Sequence, residues 1–335
     1  MHFSARINLQ HDLGRGQLWL FPAPWAWGML AGLAAIILAW FAISPLQLVV
    51  DEALTGTLMA GALLFALGLL NVARASSRLG ALLLALSFFM IMGVLGRALN
   101  YLAVSLGYPY QDALFARAND LLGFDWQAHV LWLNEHPSLV KLLDFAYSSY
   151  TWLIPLTIVG LALWGRQARL REFLLLFSLT GFLCVGIGAF VPALGAYGYY
   201  GFSVAGLENI PAYVTAYLSD MEAVRAGTQT EFIVSEATGL TTFPSFHTVM
   251  ALLFAWAWRG TWLQWPMAAL SALTIAATPM MGAHYLIDLV GGATVFWLTL
   301  KALDGMGATD CATGKTKRST RRWLALWPDI AKATK

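Results

Sequence analysis

Pro244, Ser245 and His247 stand where a polar turn, Gly239–Phe243, runs into the apolar stretch Thr248–Phe254. Proline suits a first helical turn, so a helix is expected to begin here. The unpaired N–H groups and positive dipole end of such a helix attract an anion. Ser245, Phe246 and His247 therefore sit where a phosphate would rest. Downstream, His284-Tyr-Leu-Ile-Asp288 opens another apolar stretch. Its histidine and aspartate, four residues apart, share one helix face. Two helix starts, two histidines and one carboxylate are the parts of a phosphoryl-transfer site.

Each part has a bland alternative: an interfacial histidine, and an aspartate snorkelling from a helix end. Asp288, however, lies about one turn into an apolar helix, where an unpaired carboxylate costs roughly several kcal/mol. His284 is within reach as its partner. A carboxylate bonded to one imidazole nitrogen fixes the tautomer and frees the other to attack. His284 is thus the expected nucleophile and Asp288 its orienter. His247 is expected to be the general acid, and then the general base toward the acceptor.

The chain that must position these groups has 335 residues, 59% hydrophobic and 11% charged. Its mean hydropathy is +0.65. That composition is all-α, a polytopic membrane helical bundle rather than a soluble domain. The net charge of +2 gives no reason to expect nucleic acid as a partner. Of the two cysteines, Cys184 lies in an apolar run and Cys311 in a basic tail, so no disulfide is expected. The first ~24 residues, with Arg6 and Arg15, lack the apolar core of a cleavable signal, and the first span is expected to be an uncleaved anchor.

About eight spans of bilayer length are expected, near 25–43, 54–72, 79–106, 143–164, 172–190, 244–258, 262–281 and 284–303. Residues 1–78 form an N-terminal segment with two peripheral spans, and Trp19, Trp25 and Trp27 suit the interface. Residues 79–303 form a six-span core, and 304–335 a basic tail. Within the core, 108–141 mixes acidic and apolar residues and suits amphipathic surface helices. The stretch 191–242 is too long for an idle link and suits a cap over the site. Tyr197, Tyr199 and Tyr200 in that stretch suit interface aromatics better than a headgroup pocket. His129 and His136 are expected at the surface.

Basic residues fall in alternate links: Arg74 and Arg78, then Arg166, Arg169 and Arg171, then Arg259, then the tail. Acidic stretches fall in the others, at 51–52, 112–144 and 220–236. The positive-inside rule then puts both termini in the cytoplasm and both histidine-bearing helix starts outside. A bacterial inner membrane fits the compact loops.

Pro-Ser-Phe-His at 244–247, then His-Tyr-Leu-Ile-Asp at 284–288 on the next span but one, resembles the type 2 phosphatidic acid phosphatase superfamily. The hallmark there is Pro-Ser-x-His followed by Ser-Arg-x-Tyr-x-x-x-His-x-x-x-Asp. The resemblance implies a phosphohistidine at His284, His247 as general acid, and a six-helix core. The surrounding residues look closest to the branch that holds inositol phosphorylceramide synthase and its bacterial relatives. Three basic residues of the family pattern are missing: Cys184 and Val191 occupy the positions of Lys-x6-Arg-Pro, and Ala277 and Thr278 those of Ser-Arg. A phosphoryl group in transfer needs positive charge around its equatorial oxygens. Arg225 is the first candidate for a substitute cation, and Arg97, which lies within a span, the second.

The expected activity is therefore a lipid phosphatase or phosphotransferase acting on a lipid phosphate or phospholipid headgroup, with no metal or cofactor. Two other classes compete. In a metal-dependent hydrolase, His247, His284 and Asp288 would be ligands. A lipid-binding or transport protein would have kept the fold and lost the chemistry. Single cysteines placed in the 205–235 loop are expected to react with an impermeant thiol reagent on intact cells; labelling only after lysis would overturn the topology.

Overall fold

In a bilayer every backbone polar group must be satisfied within the chain, and for long apolar runs the helix does this. The computed structural model describes residues 20–74, 77–202 and 206–305. The N-terminal segment with Trp19 and the basic tail with Cys311 lie outside the described residues. Among those described, the molecule is an all-α bundle of thirteen helices with one two-stranded sheet.

Helices α1 (Pro24–Ile43), α2 (Glu52–Ala73) and α3 (Ser77–Val104) come first. Then come α4 (Asp112–Leu121), α5 (Trp126–Asn134), α6 (Pro137–Ser148), α7 (Tyr150–Leu163) and α8 (Gln167–Phe190). The stretch after α8 carries α9 (Ala196–Tyr199), a 3-10 turn (Ala212–Thr215) and α10 (Tyr217–Ala226). The chain ends in α11 (Phe246–Ala257), α12 (Gln264–Met281) and α13 (Leu286–Gly305).

Each expected span coincides with a helix or a helix pair, but not all have the expected length. Five described helices, α1, α2, α3, α8 and α13, are long and apolar enough to cross a membrane. The pair α6 and α7 counts as a sixth if its 42° bend lies within one span. Helix α12 has 18 residues and is less apolar. Helix α11 has only 12 residues, about 18 Å against a hydrocarbon core of ~30 Å. It is short because it starts at Ser245, which is fully buried, rather than at the surface of the bundle.

Helices α1 and α2 both pack on α3 and bury little of themselves. They are nevertheless stitched to the stretch 191–242. Strand β1 (Gln47–Leu48) pairs in parallel with β2 (Glu231–Phe232). Phe232 is fully buried between Phe41 and Tyr101. The short β pairing carried no signal in the sequence.

The amphipathic segment forms α4 and α5, with Leu114, Leu121, Leu131 and Trp132 exposed and Phe115, Trp126, Val130 and Leu133 buried. Two of its polar residues face inward instead. Asp112 is 3% exposed and accepts from Leu194 N (2.8 Å), Gly195 N (2.9 Å) and the Tyr285 hydroxyl (2.8 Å). Asn119 is fully buried, and its Oδ1 accepts from Leu286 N at 2.9 Å, capping the start of α13. Thus α4 ties the chain at Leu194–Gly195 to the start of the last helix. Removing Asp112 would leave two backbone donors and a phenol without their acceptor. Asp112→Ala is predicted to lower stability by at least about 2 kcal/mol; an unchanged melting temperature in detergent would contradict this.

Candidate active site

The turn before α11 and the start of α13 are in direct contact. Ser245 N donates to the backbone oxygen of Asp288 at 3.0 Å. The approach requires glycine: a Cβ on Gly292 would sit 2.3 Å from Ser245 O, and one on Gly291 2.8 Å from the Phe243 ring. The Ser245 side chain accepts from Thr248 N and is the N-cap of α11. Pro244 therefore precedes the cap instead of occupying the first helical turn. Phe246 and His247 open the helix, where N–H groups lack intrahelical partners.

Asp288 does two jobs with one oxygen. Its Oδ2 accepts from Tyr285 N at 3.0 Å, reaching back to the helix start as in a capping box. The same oxygen lies 3.0 Å from His284 Nδ1. A carboxylate accepts only, so Nδ1 carries the proton and Nε2 presents its lone pair. That Nε2 lies 3.4 Å from Ser245 Oγ. His284 is 3% exposed and Asp288 fully buried.

His247 faces this pair across a gap, with ring centroids 6.4 Å apart. It is clamped by two tyrosines that sequence spacing did not disclose. The Tyr147 ring stacks on it at 4.1 Å, with the hydroxyl 3.0 Å from His247 Nδ1. Tyr150 meets it edge-on at 5.1 Å. These tyrosines flank the bend between α6 and α7, so the break in that span is what aims both rings at His247. The other nitrogen, Nε2, is buried without a partner among the described residues. Gly282 lets Tyr147 approach, since a Cβ there would lie 2.5 Å from its hydroxyl.

His247 and His284 open into a cavity of about 650 Å³. Tyr213, Tyr217, Thr238 and Thr241 contribute polar groups to its wall. The Tyr217 hydroxyl donates to Leu194 O at 2.7 Å. Burial, and then the nearby acidic groups, push its phenol well above the usual range, so it stays a neutral donor. Arg97 also lines the cavity. Among the described lining residues it is the one guanidinium or ammonium group. Its Nη1 makes a long contact, 3.5 Å, to Val234 O.

Arg225 lies elsewhere. Its guanidinium sits 3.9 Å over the Tyr110 ring and donates to Tyr108 O at 2.8 Å, outside the lining of this cavity. Tyr197 and Tyr200 pack on Trp126 and Tyr199 is exposed, and none of the three lines the cavity. Cys184 lines it and is 2% exposed, whereas Ala277 and Thr278 are fully buried in α12. Among the described residues no group of three or more His, Cys, Asp or Glu is placed to hold a metal ion.

A sequence profile described as the PAP2 superfamily matches residues 113–302, more than half of the chain. The chain belongs to the PAP2 superfamily. Members of this superfamily are phosphatases or phosphotransferases, so a phosphoester-acting enzyme is the general class. The match takes in all the site residues on α6, α11 and α13, but not α3 with Arg97. No curated protein and no solved structure matches the chain.

The hydroxyl of Tyr147 can donate to a neutral His247 or accept from a protonated one, so it can hold the ring through both halves of a proton transfer. Tyr147→Phe keeps the stacked ring and removes only that bond. It is predicted to lower kcat by about 3- to 30-fold and to shift the pH profile of kcat, with the melting temperature little changed. An unaltered rate and profile would contradict the role.

Proposed function

We propose that this PAP2-superfamily member is an integral-membrane enzyme acting on a lipid phosphate or phospholipid headgroup through a phosphohistidine at His284. The observation that carries the proposal is the bond between His284 Nδ1 and Asp288 Oδ2, which leaves Nε2 facing the N-terminus of α11. In the first step Nε2 attacks phosphorus, the P–O bond to the leaving alcohol breaks, and His247 Nε2 gives that oxygen a proton. In the second, His247 takes a proton from water or an alcohol, whose oxygen displaces His284. The oxygens around phosphorus would be held by Ser245 Oγ, by the N–H groups of Phe246 and His247, and by Arg97 at the cavity wall. Arg225 would need to leave Tyr110 to take part, and is the weaker candidate.

A second version has a lipid hydroxyl as acceptor, as in inositol phosphorylceramide synthase. What favours it is the residue set at the positions where the phosphatase pattern carries cations. Cys184, Val191 and Thr278 stand there, and the motifs resemble that branch.

The site would face the outside of the membrane, with the termini in the cytoplasm. The basic links support this, since they cluster at one end. The Arg78 guanidinium lies beside Gly165, and Arg169 Nη1 donates to Arg259 O at 3.3 Å. A bacterial inner membrane remains the proposed location.

Purified protein should be given a panel of lipid phosphates and phospholipids in EDTA, with and without ceramide or diacylglycerol. Free phosphate indicates the hydrolase, and a new phospholipid only with an acceptor indicates the transferase. His284→Ala is predicted to abolish turnover and His247→Ala nearly to do so, both remaining folded. Asp288→Asn is predicted to lower kcat by more than about tenfold. Turnover at the wild-type rate in His284→Ala, or loss of all activity in EDTA, would overturn the proposal.

A further inference from the structure

The cavity does not end at the histidines. Helix α3 lines it with Phe89, Met92, Gly93, Gly96, Arg97 and Asn100, a single stripe at helical spacing. From Asn100 to Phe89 the stripe runs about 16 Å at the helical rise, close to half of the ~30 Å hydrocarbon core. The upper end of the stripe is polar and the lower end apolar. Helix α8 faces the lower part with Phe177, Gly181, Phe182 and Val185. Ser178 also lies there, but its hydroxyl turns back to Leu174 O at 2.8 Å. Among the described residues, the lower wall therefore offers no side-chain polar group that a headgroup could use.

Two glycines in this stripe lack a packing reason. A glycine inside a helix costs stability relative to alanine. At Gly68 and Gly80 close packing accounts for it: a Cβ would meet Leu84 at 2.7 Å and Val72 at 2.6 Å respectively. At Gly93 and Gly96 a Cβ would meet nothing within 4 Å. What their missing side chains preserve is open space, and that space belongs to the cavity.

Resting on the proposed action on a lipid, we propose that this lower arm is a slot for one hydrocarbon chain of the substrate, held open by Gly93 and Gly96. A phosphate at His284 would leave its chain lying along α3 against Phe177 and Phe182, about as deep as one leaflet. Half of the slot is built from α3, which lies before the matched residues 113–302. A soluble phosphoester would fill only the polar end.

The test is a series of alkyl phosphates from butyl to dodecyl, at fixed detergent, with full-length wild type and Gly96→Leu. Wild-type kcat/KM should rise at least about tenfold along the series as methylenes are buried. In Gly96→Leu the dodecyl-to-butyl ratio should fall toward one. Melting in detergent reports folding, and Gly93→Ala, a smaller intrusion, should give an intermediate ratio should the leucine variant not fold. A wild-type series flat with chain length overturns the slot while leaving the phosphoester activity standing. So does an unchanged ratio in folded variants. A wild type that turns over no alkyl phosphate of any length, with water alone or with added diacylglycerol or ceramide as acceptor, overturns the reading of the site, and the slot with it.

Discussion

The hydrogen bond from Ser245 N to the backbone oxygen of Asp288 joins the starts of two helices, and the site depends on that junction. It places the N-terminus of α11 against the first turn of α13. The histidines that follow from those two starts then face each other across a gap. Gly291 and Gly292 make the contact possible, because any side chain there would occupy the space of Phe243 and Ser245. Asp288 ties the junction to chemistry, since one of its oxygens both caps Tyr285 N and orients His284.

Around this junction the bundle supplies polarity with few full charges. Among the described residues, dipole ends, hydroxyls and a single arginine line the cavity, while other arginines serve elsewhere. At the opposite end, Arg169 donates to Trp256 O and Ala257 O, satisfying carbonyls in the last turn of α11. Arg169 and Arg259 both lie 3.9 Å from the buried Glu172. The same helix thus presents free N–H groups to the cavity and has its last carbonyls covered by guanidinium groups. An anion placed at its start would feel an undivided dipole end in a region of low dielectric, where such interactions are strong.

Much of this was legible in the sequence because it is local. Apolar runs marked the helices, and the spacing of His284 and Asp288 marked their bond. The Ser245 turn marked the start of α11. What stayed hidden depends on residues far apart in the chain. Tyr147 meets His247 across a hundred residues, and Asp112 meets Tyr285 across 173. No periodicity reports such pairs, and Asp112 reads as one more acid in a surface helix until its three donors are seen. The length of α11 was hidden for a similar reason: hydropathy shows that a run is apolar, not how deep in the bundle it begins. Arg225, in α10, shows the converse, since a cation that precedes the site in sequence is engaged by Tyr110 instead.

The central claim is a covalent bond between phosphorus and His284. Rapid acid-free quenching of wild-type protein with a substrate radiolabelled in its phosphate, followed by proteolysis and mass spectrometry, addresses it directly. The account predicts label on the peptide that contains His284, and none in His284→Ala. Label on Ser245, or substrate turnover with no labelled protein at any time, would contradict it.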